Sequence, residues 1–285
     1  VTSAMNAVNA KMSTYLKDSE LSQFNASESV EPQKMSPATL EVIQMAQAIS
    51  ELTQGRFDVT VGPLVNAWGF GPEGPQKTLT DEEVSELLGY VGFQKLKVDA
   101  AASTLTKEHP KTYVDLSAIA KGYAVDKVVE SLEGLGHTNY MVEIGGEVYA
   151  KGLNPDDSPW RIGIETPSAE VPGIFDVVVL SGKGLATSAD YRNFYENDGE
   201  RYSHTINPKT GRPIKHSLAS VSVLADSCAQ ADALATALNV LGPIEGPELA
   251  EKQGIAALFI IRDSEGKLQE SQTSDFAKAR EQAKQ

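Results

Sequence analysis

Between Tyr140 and Leu224 the chain sets out five strand-like runs, YMVEI, RIGIE, DVVVL, YSHTI and ASVSVL, with no helical pattern between them. Parallel neighbours are usually joined by a crossover helix, and none is patterned between these runs, so they are expected to pair antiparallel. Helical spacing gathers elsewhere: over residues 2–16, over 36–53, after Thr80, from about Ser117 to Glu133, over 227–241 and briefly over 245–252. Ser36-Pro37 is a cap followed by a first-turn proline, and Gly55 lies just past the end of that helix. Its buried stripe is Val42, Met45, Ile49 and Leu52. Thr80-Asp81-Glu82-Glu83 has the form of a capping box. FDVTV (57–61), KLKVD (95–99), TYVDL (112–116) and IAALFII (255–261) add further strand candidates, and GFGPEGPQK (69–77) a Gly/Pro loop. Strands cluster and helices cluster without regular alternation, so the class expected is α+β with mixed, largely antiparallel sheets. No linker is long enough to force a boundary, and residues 1–285 read as a single compact, two-lobed unit.

Charge narrows the partners. At a formal −14, the chain lacks the basic surface that nucleic acid or an anionic membrane requires. The longest apolar stretch, near GIAALFII (254–261), is far short of the ~20 residues of a membrane span. With 41% hydrophobic residues the chain can bury a full core. A lone cysteine, Cys228, excludes an internal disulfide. The first residue is Val1, with no charged-then-apolar leader, so the native N-terminus is expected to have been removed by processing or design.

Four stretches have residue types that can carry chemistry. In YVDLSAIAKGYAVD (113–126) a strand gives way to a helix, whose free N–H groups and Lys121 one turn in would suit a phosphate. It is equally an ordinary junction capped by Asp115 or Ser117. Gly122, inside the helix, costs about 1 kcal/mol relative to Ala, so something comes close there. In AQADALATAL (229–238) Asp232 and Thr236 share a helix face as hard oxygens of the kind Mg²⁺ accepts, or as a solvated polar face. The loops GRFDVTVGPLVNAWGFG and VEIGGEVYAKG offer aromatic residues and a Gly145-Gly146 pair, for a ligand or merely for a core and a turn. In RYSHTINPKTGRP, which follows the polar GLATSADYRNF, period-2 alternation puts Tyr202, His204 and Ile206 on one strand face ahead of a Pro/Gly turn. His204 is there either a histidine satisfied in a sheet or a group that touches chemistry.

These blocks, with MSTYLKDSELSQFN, VEIGGE and ADALATAL, resemble in one order the ApbE family, the FAD:protein FMN transferases, from about Met12 to the 260s. The resemblance implies the ApbE/T-fold-like architecture and a Mg²⁺-dependent, periplasm-facing enzyme. Such an enzyme splits the FAD pyrophosphate, links FMN through a phosphoester to a Ser or Thr of an acceptor protein, and releases AMP. Acceptors implied are subunits of Na⁺-translocating quinone reductase or Rnf-type redox complexes. Membrane association is implied only through a lipoprotein anchor that, like an upstream first strand, precedes the sequence given. By motif, Tyr15 matches the isoalloxazine contact. Arg56, Phe57, Asp58, Asp115, Lys121 and Ile206 match FAD-contacting positions. The Ala118 carbonyl, Asp232 and Thr236 match the metal ligands, and His204 the catalytic histidine. Two other readings stay open: a Mg²⁺-dependent FAD pyrophosphatase giving FMN and AMP, and a non-catalytic FAD-binding protein.

Overall fold

A computed structural model describes residues 1–72, 78–168, 173–189, 194–197 and 200–282. The chain divides into two compact units, Thr2–Ala120 with His204–Ile214, and Lys121–Ser203 with Lys215–Gln285 (Val1 groups with the latter).

The first unit is mainly helical. Its opening helix, Thr2–Met12, stops short of the expected residue 16 because the Ser13 hydroxyl turns back to accept from the N–H groups of Tyr15 and Leu16. The Pro37–Leu52 helix is capped by Ser36 as the sequence predicts, and the capping box at Thr80 and Glu83 is complete. A three-stranded antiparallel sheet orders Gln33–Lys34, Thr104–Lys107 and Leu96–Asp99.

Three expected strands are corrected, two in this unit and one that runs into it from the second at Ser203–His204. FDVTV is a turn, because Asp58 Oδ1 accepts from the Thr60 N–H (2.8 Å) and hydroxyl (2.6 Å), which folds the backbone back on itself. TYVDL forms only one isolated bridge, Tyr113 to Val61. A side chain replaces the neighbouring strand there, since the Asn25 amide accepts from the Val114 N–H and donates to its carbonyl, both at 2.8 Å. YSHTI breaks at His204–Thr205. Glu200–Ser203 pairs with Phe194–Asn197, whereas Ile206–Asn207 pairs with Arg212–Pro213, so Tyr202, His204 and Ile206 do not share a strand face.

The second unit is built on six strands: β1 Tyr140–Ile144, β2 Glu147–Lys151, β3 Lys183–Ala189, β4 Leu218–Ala225, β5 Ala256–Arg262 and β6 Leu268–Gln272. Each pairs antiparallel with the next in chain order. RIGIE and DVVVL form a separate hairpin, Trp160–Glu165 with Ile174–Leu180, inserted between β2 and β3. Ile164, Val178 and Leu180 of that hairpin, with Phe276 of the C-terminal helix, pack on Val148, Leu185, Leu224, Leu258 and Ile260 of the sheet. Two longer helices complete the unit: α1, Ala120–Gly134, and α2, Cys228–Lys252. The latter is two segments, as the spacing predicts, because Gly242 takes φ +80° ahead of Pro243. Among the described residues no helix is long and apolar enough to cross a membrane.

Lys107, on a strand of the first unit, has no exposed surface. Its ammonium reaches the carbonyls of Phe24 (3.3 Å) and Thr112 (3.4 Å) and lies 5.1 Å from the Phe24 ring centroid. Desolvation lowers its pKa from 10.5. Between that lowered value and 10.5 the unfolded chain binds more protons than the folded one, so folding stability rises with pH across the window. Lys107→Met removes this contribution. Urea unfolding from pH 7 to 10 should show wild type gaining on the variant as pH rises, and parallel profiles would refute the assignment.

Candidate active site

Helix α2 starts where two side chains take up its free N–H groups. Ser227 accepts from Gln230, and Asp126, projecting from α1, accepts from Cys228 (2.7 Å) and Ala229 (2.9 Å). One turn into α2 comes Asp232. It is 5% exposed, which rules out the solvated-face reading. Its Oδ2 accepts from the Gly122 N–H of α1 at 3.1 Å, and its Oδ1 lies 3.6 Å from Lys121 Nζ. Lys121 also contacts Oε1 of Glu147, the first residue of β2, which is 3% exposed. Thr236 follows one turn along α2, half-buried. Two buried carboxylates thus share one ammonium.

Electrostatics follow from that shortage of positive charge. Burial, followed by repulsion from Asp232, pushes Glu147 up to about 7 despite the Lys121 contact. Burial likewise raises Asp232, against the pull of Lys121 and the Gly122 N–H. For Lys121 itself, desolvation lowers the pKa, but Asp232 and Glu147 outweigh it and leave it raised. Among the described residues no group of three or more His, Cys, Asp or Glu is arranged to hold a metal. Any cation here therefore takes much of its coordination from hydroxyls, carbonyls, water or a ligand, as Mg²⁺ commonly does.

The glycines answer the question that Gly122 raised. A Cβ on Gly122 would sit 2.3 Å from the Cys228 carbonyl oxygen, and one on Gly184 of β3 would sit 2.7 Å from Cys228 Cα. What comes close is the first turn of α2, wedged between a helix and a strand. Gly145 and Gly146 form the two-residue turn between β1 and β2, both at positive φ (+65° and +103°) as a primed hairpin turn requires.

In the first unit the 55–71 segment, expected as a loop but containing a short helix over Gly62–Ala67, and the 204–214 hairpin are brought together. Trp68, 1% exposed, donates its indole N–H to the Gly211 carbonyl (2.8 Å), and Phe70 meets the half-buried His204 edge to face with centroids 6.5 Å apart. Gly211 takes φ +67° in the predicted turn, where the Asn207 side chain accepts from the Lys209 N–H. Phe57 is 3% exposed, in the core. Asp58 is buried too, and its Oδ2 accepts from the Phe93 N–H at 2.7 Å. Burial raises its pKa, against those hydrogen bonds and Lys209.

Of the residues singled out in the sequence, Lys121, Asp232 and Thr236 gather in the second unit. Arg56, Phe57, Asp58, His204 and Ile206 lie in the loop and hairpin of the first. Tyr15 is 67% exposed, just beyond the opening helix. Asp115 Oδ1 accepts from the Ser117 N–H and hydroxyl, forming the turn that holds Ala118 ahead of α1, which begins at Ala120 and not at Ser117. Residues 190–193 of the SADYRN stretch lie outside the described residues. Glu147 and Asp126 were missed. Each looks like an ordinary surface acid in its strand or helix; the close approach signalled by Gly122 is to the helix start that Asp126 caps, and nothing in the sequence marks Glu147.

Replacing Gly122 by Ala tests the wedge. Helix propensity favours the change by about 1 kcal/mol, but a clash against backbone costs typically 1–3 kcal/mol or more. The expected outcome is a melting temperature lower by several degrees, and an unchanged or raised value would refute the packing constraint.

A sequence profile of the ApbE family matches residues 1–259. An FAD:protein FMN transferase of Vibrio cholerae is 49% identical over 263 residues, covering 92% of this chain and 78% of that protein. The Escherichia coli K12 protein of the same name is 40% identical over 92% of this chain and 75% of its own length. The solved structure of the flavin transferase ApbE from Vibrio cholerae superposes with a TM-score of 0.90 at 46% identity, over 98% of this chain and 88% of that one. The apo flavinyl transferase ApbE of Pseudomonas stutzeri gives 0.89 at 40% identity, over 98% and 86%. The helices and largely antiparallel sheets described above are the α+β architecture of those structures, and the chain belongs to the ApbE family.

Proposed function

We propose that this chain is an FAD:protein FMN transferase that moves FMN from FAD to a Ser or Thr hydroxyl of an acceptor protein and releases AMP. The carrying observation is the buried Asp232, paired along α2 with Thr236 and served by a single ammonium that it shares with Glu147. That arrangement is short of positive charge, and a divalent cation that also meets the FAD pyrophosphate would supply what it lacks. The donor types fit Mg²⁺: Asp232 offers a hard carboxylate oxygen and Thr236 a hydroxyl. When bound, the cation would neutralise charge developing on the transferring phosphoryl group.

The chain's own residues supply the rest. The Lys121 ammonium, kept charged by two carboxylates, attracts phosphate oxygens. A Ser or Thr hydroxyl is a weak nucleophile at neutral pH and benefits from a base. We assign that role to His204, whose half-buried ring is held edge-on to Phe70. In the reaction the acceptor oxygen bonds to the FMN phosphorus, the bond from that phosphorus to the AMP oxygen breaks, and the hydroxyl proton passes to an imidazole nitrogen of His204. Tyr15, exposed beside the opening helix, is the proposed flavin contact. The family resemblance supports a periplasmic, lipid-anchored location and acceptors among subunits of Na⁺-translocating quinone reductase or Rnf-type complexes.

The deciding experiment incubates the purified chain with FAD and Mg²⁺, with and without an acceptor domain, and follows AMP release and acceptor mass together. The expected result is a mass gain equal to an FMN phosphoester, abolished by EDTA. AMP appearing equally fast without acceptor, and no mass gain, would make the chain an FAD pyrophosphatase. FAD bound but left intact would make it a binding protein. His204→Ala should slow transfer by ~10²–10⁴-fold with FAD binding retained, and a full rate would remove the histidine from the mechanism.

A further inference from the structure

Among the described residues three acidic side chains are buried: Asp58, Asp232 and Glu147. Asp58 is accounted for by the loop it ties together, and Asp232 by its place on α2. Glu147 has no role so far. Its Oε1 contacts Lys121 Nζ, and its Oε2 is buried with no hydrogen-bond partner. A buried carboxylate oxygen left without a donor is a destabilising feature that needs a reason.

Geometry at Lys121 gives that reason. Its ammonium is in direct contact with Glu147 but 3.6 Å from Asp232 Oδ1, beyond the 2.7–2.9 Å usual for a charge-assisted hydrogen bond. The β1–β2 turn sets this preference. Gly145 passes close enough to the lysine stem that a Cβ there would lie 3.6 Å from Lys121 Cδ and 3.6 Å from Glu147 Oε2. The stem therefore runs past the turn toward Glu147, which is fixed as the first residue of β2.

We infer that Glu147 is a positioning residue that holds the Lys121 ammonium off Asp232, leaving the Asp232 carboxylate open to a divalent cation. This rests on the reading of Asp232 as a cation ligand given above. Without the Glu147 charge, Asp232 is the nearer remaining anion, and the ammonium closes on it. A cation must then displace an ammonium paired to the buried Asp232 carboxylate and sit beside it once unpaired, and both effects weaken its binding. With Glu147 in place the ammonium has its own partner throughout.

The test is Mn²⁺ binding to the flavin-free protein, read from the electron paramagnetic resonance signal of free Mn²⁺. It is run on wild type, Glu147→Gln, Lys121→Met and the double variant, with urea midpoints checking that each folds. Glu147→Gln should weaken Mn²⁺ binding about tenfold, the size of an ordinary coupling between neighbouring charged groups. Lys121→Met should bind at least as tightly as wild type, and adding Glu147→Gln to it should change nothing further. Glu147→Asp, which keeps the charge, should stay within about threefold of wild type. Equal weakening by Glu147→Gln in both backgrounds would mean that Glu147 acts on the cation itself and overturns the inference. So would no weakening in either, or looser binding by Lys121→Met, an arm that decides even if Glu147→Gln fails to fold. Wild type that takes up no Mn²⁺ would instead remove the cation site, and the failure would belong to the reading of Asp232.

Discussion

The second unit depends on how closely three backbones approach at the start of α2. Cys228 enters a slot whose walls are Gly122 of α1 and Gly184 of β3, and a methyl group on either wall would overlap its main chain. Close backbone approach has a secondary effect that matters more than the packing itself. It brings peptide N–H groups within reach of side chains that could not otherwise meet them. Asp126 reaches the first N–H groups of α2, and Asp232 reaches back to the N–H of Gly122, so each helix supplies a carboxylate to the other. Asp232 can be buried because of this reciprocal arrangement. An acid that gains only a distant ammonium would be expected to neutralise or turn outward, but one that also accepts a backbone hydrogen bond has a reason to stay.

Function and stability pull in opposite directions at this junction. Replacing a buried ion pair by apolar groups of similar volume is often neutral or stabilising, so burying Asp232 and Glu147 around a single lysine is poor design for stability alone. Lys107 makes the same point from the other unit. It is a fully buried cation with only carbonyls and a ring for company, and its pKa moves down where that of the partly exposed Lys121 moves up. Two lysines in one chain thus have opposite electrostatic characters. The difference is the number of carboxylates within reach.

What the sequence made legible was whatever rests on local pattern. The capped 37–52 helix, the break at Gly242, the antiparallel strands after Tyr140 and the Asn207–Gly211 turn all follow from spacing and turn chemistry, and all are present. The failures share one cause. FDVTV, TYVDL and YSHTI have the alternation of strands, but in each the backbone hydrogen bonds go elsewhere. Asp58 takes them in the first and Asn25 in the second, and in the third the pairing partner changes at His204. Side-chain substitution for a strand neighbour leaves no periodic trace. The site divides the same way. Asp232 and Thr236 were visible as a helical pair, and Lys121 through its motif. Glu147 sits in an alternating strand where nothing separates a buried acid from a solvated one.

Gly122 is the exception, a residue whose cost in a helix interior signals a close approach from the sequence alone. The approach is real, but its object is not a ligand. The glycine makes room for the Cys228 carbonyl, and its own N–H holds Asp232. A glycine in such a place contributes to the site indirectly, by fixing the distance between two helices and hence the direction in which a carboxylate points. The same holds for Gly145, whose positive φ sets the turn that aims Glu147 at Lys121. In both cases a residue with no side chain determines where a charged one lies. A reading that looks for chemistry only in reactive side chains passes over the positions that place them.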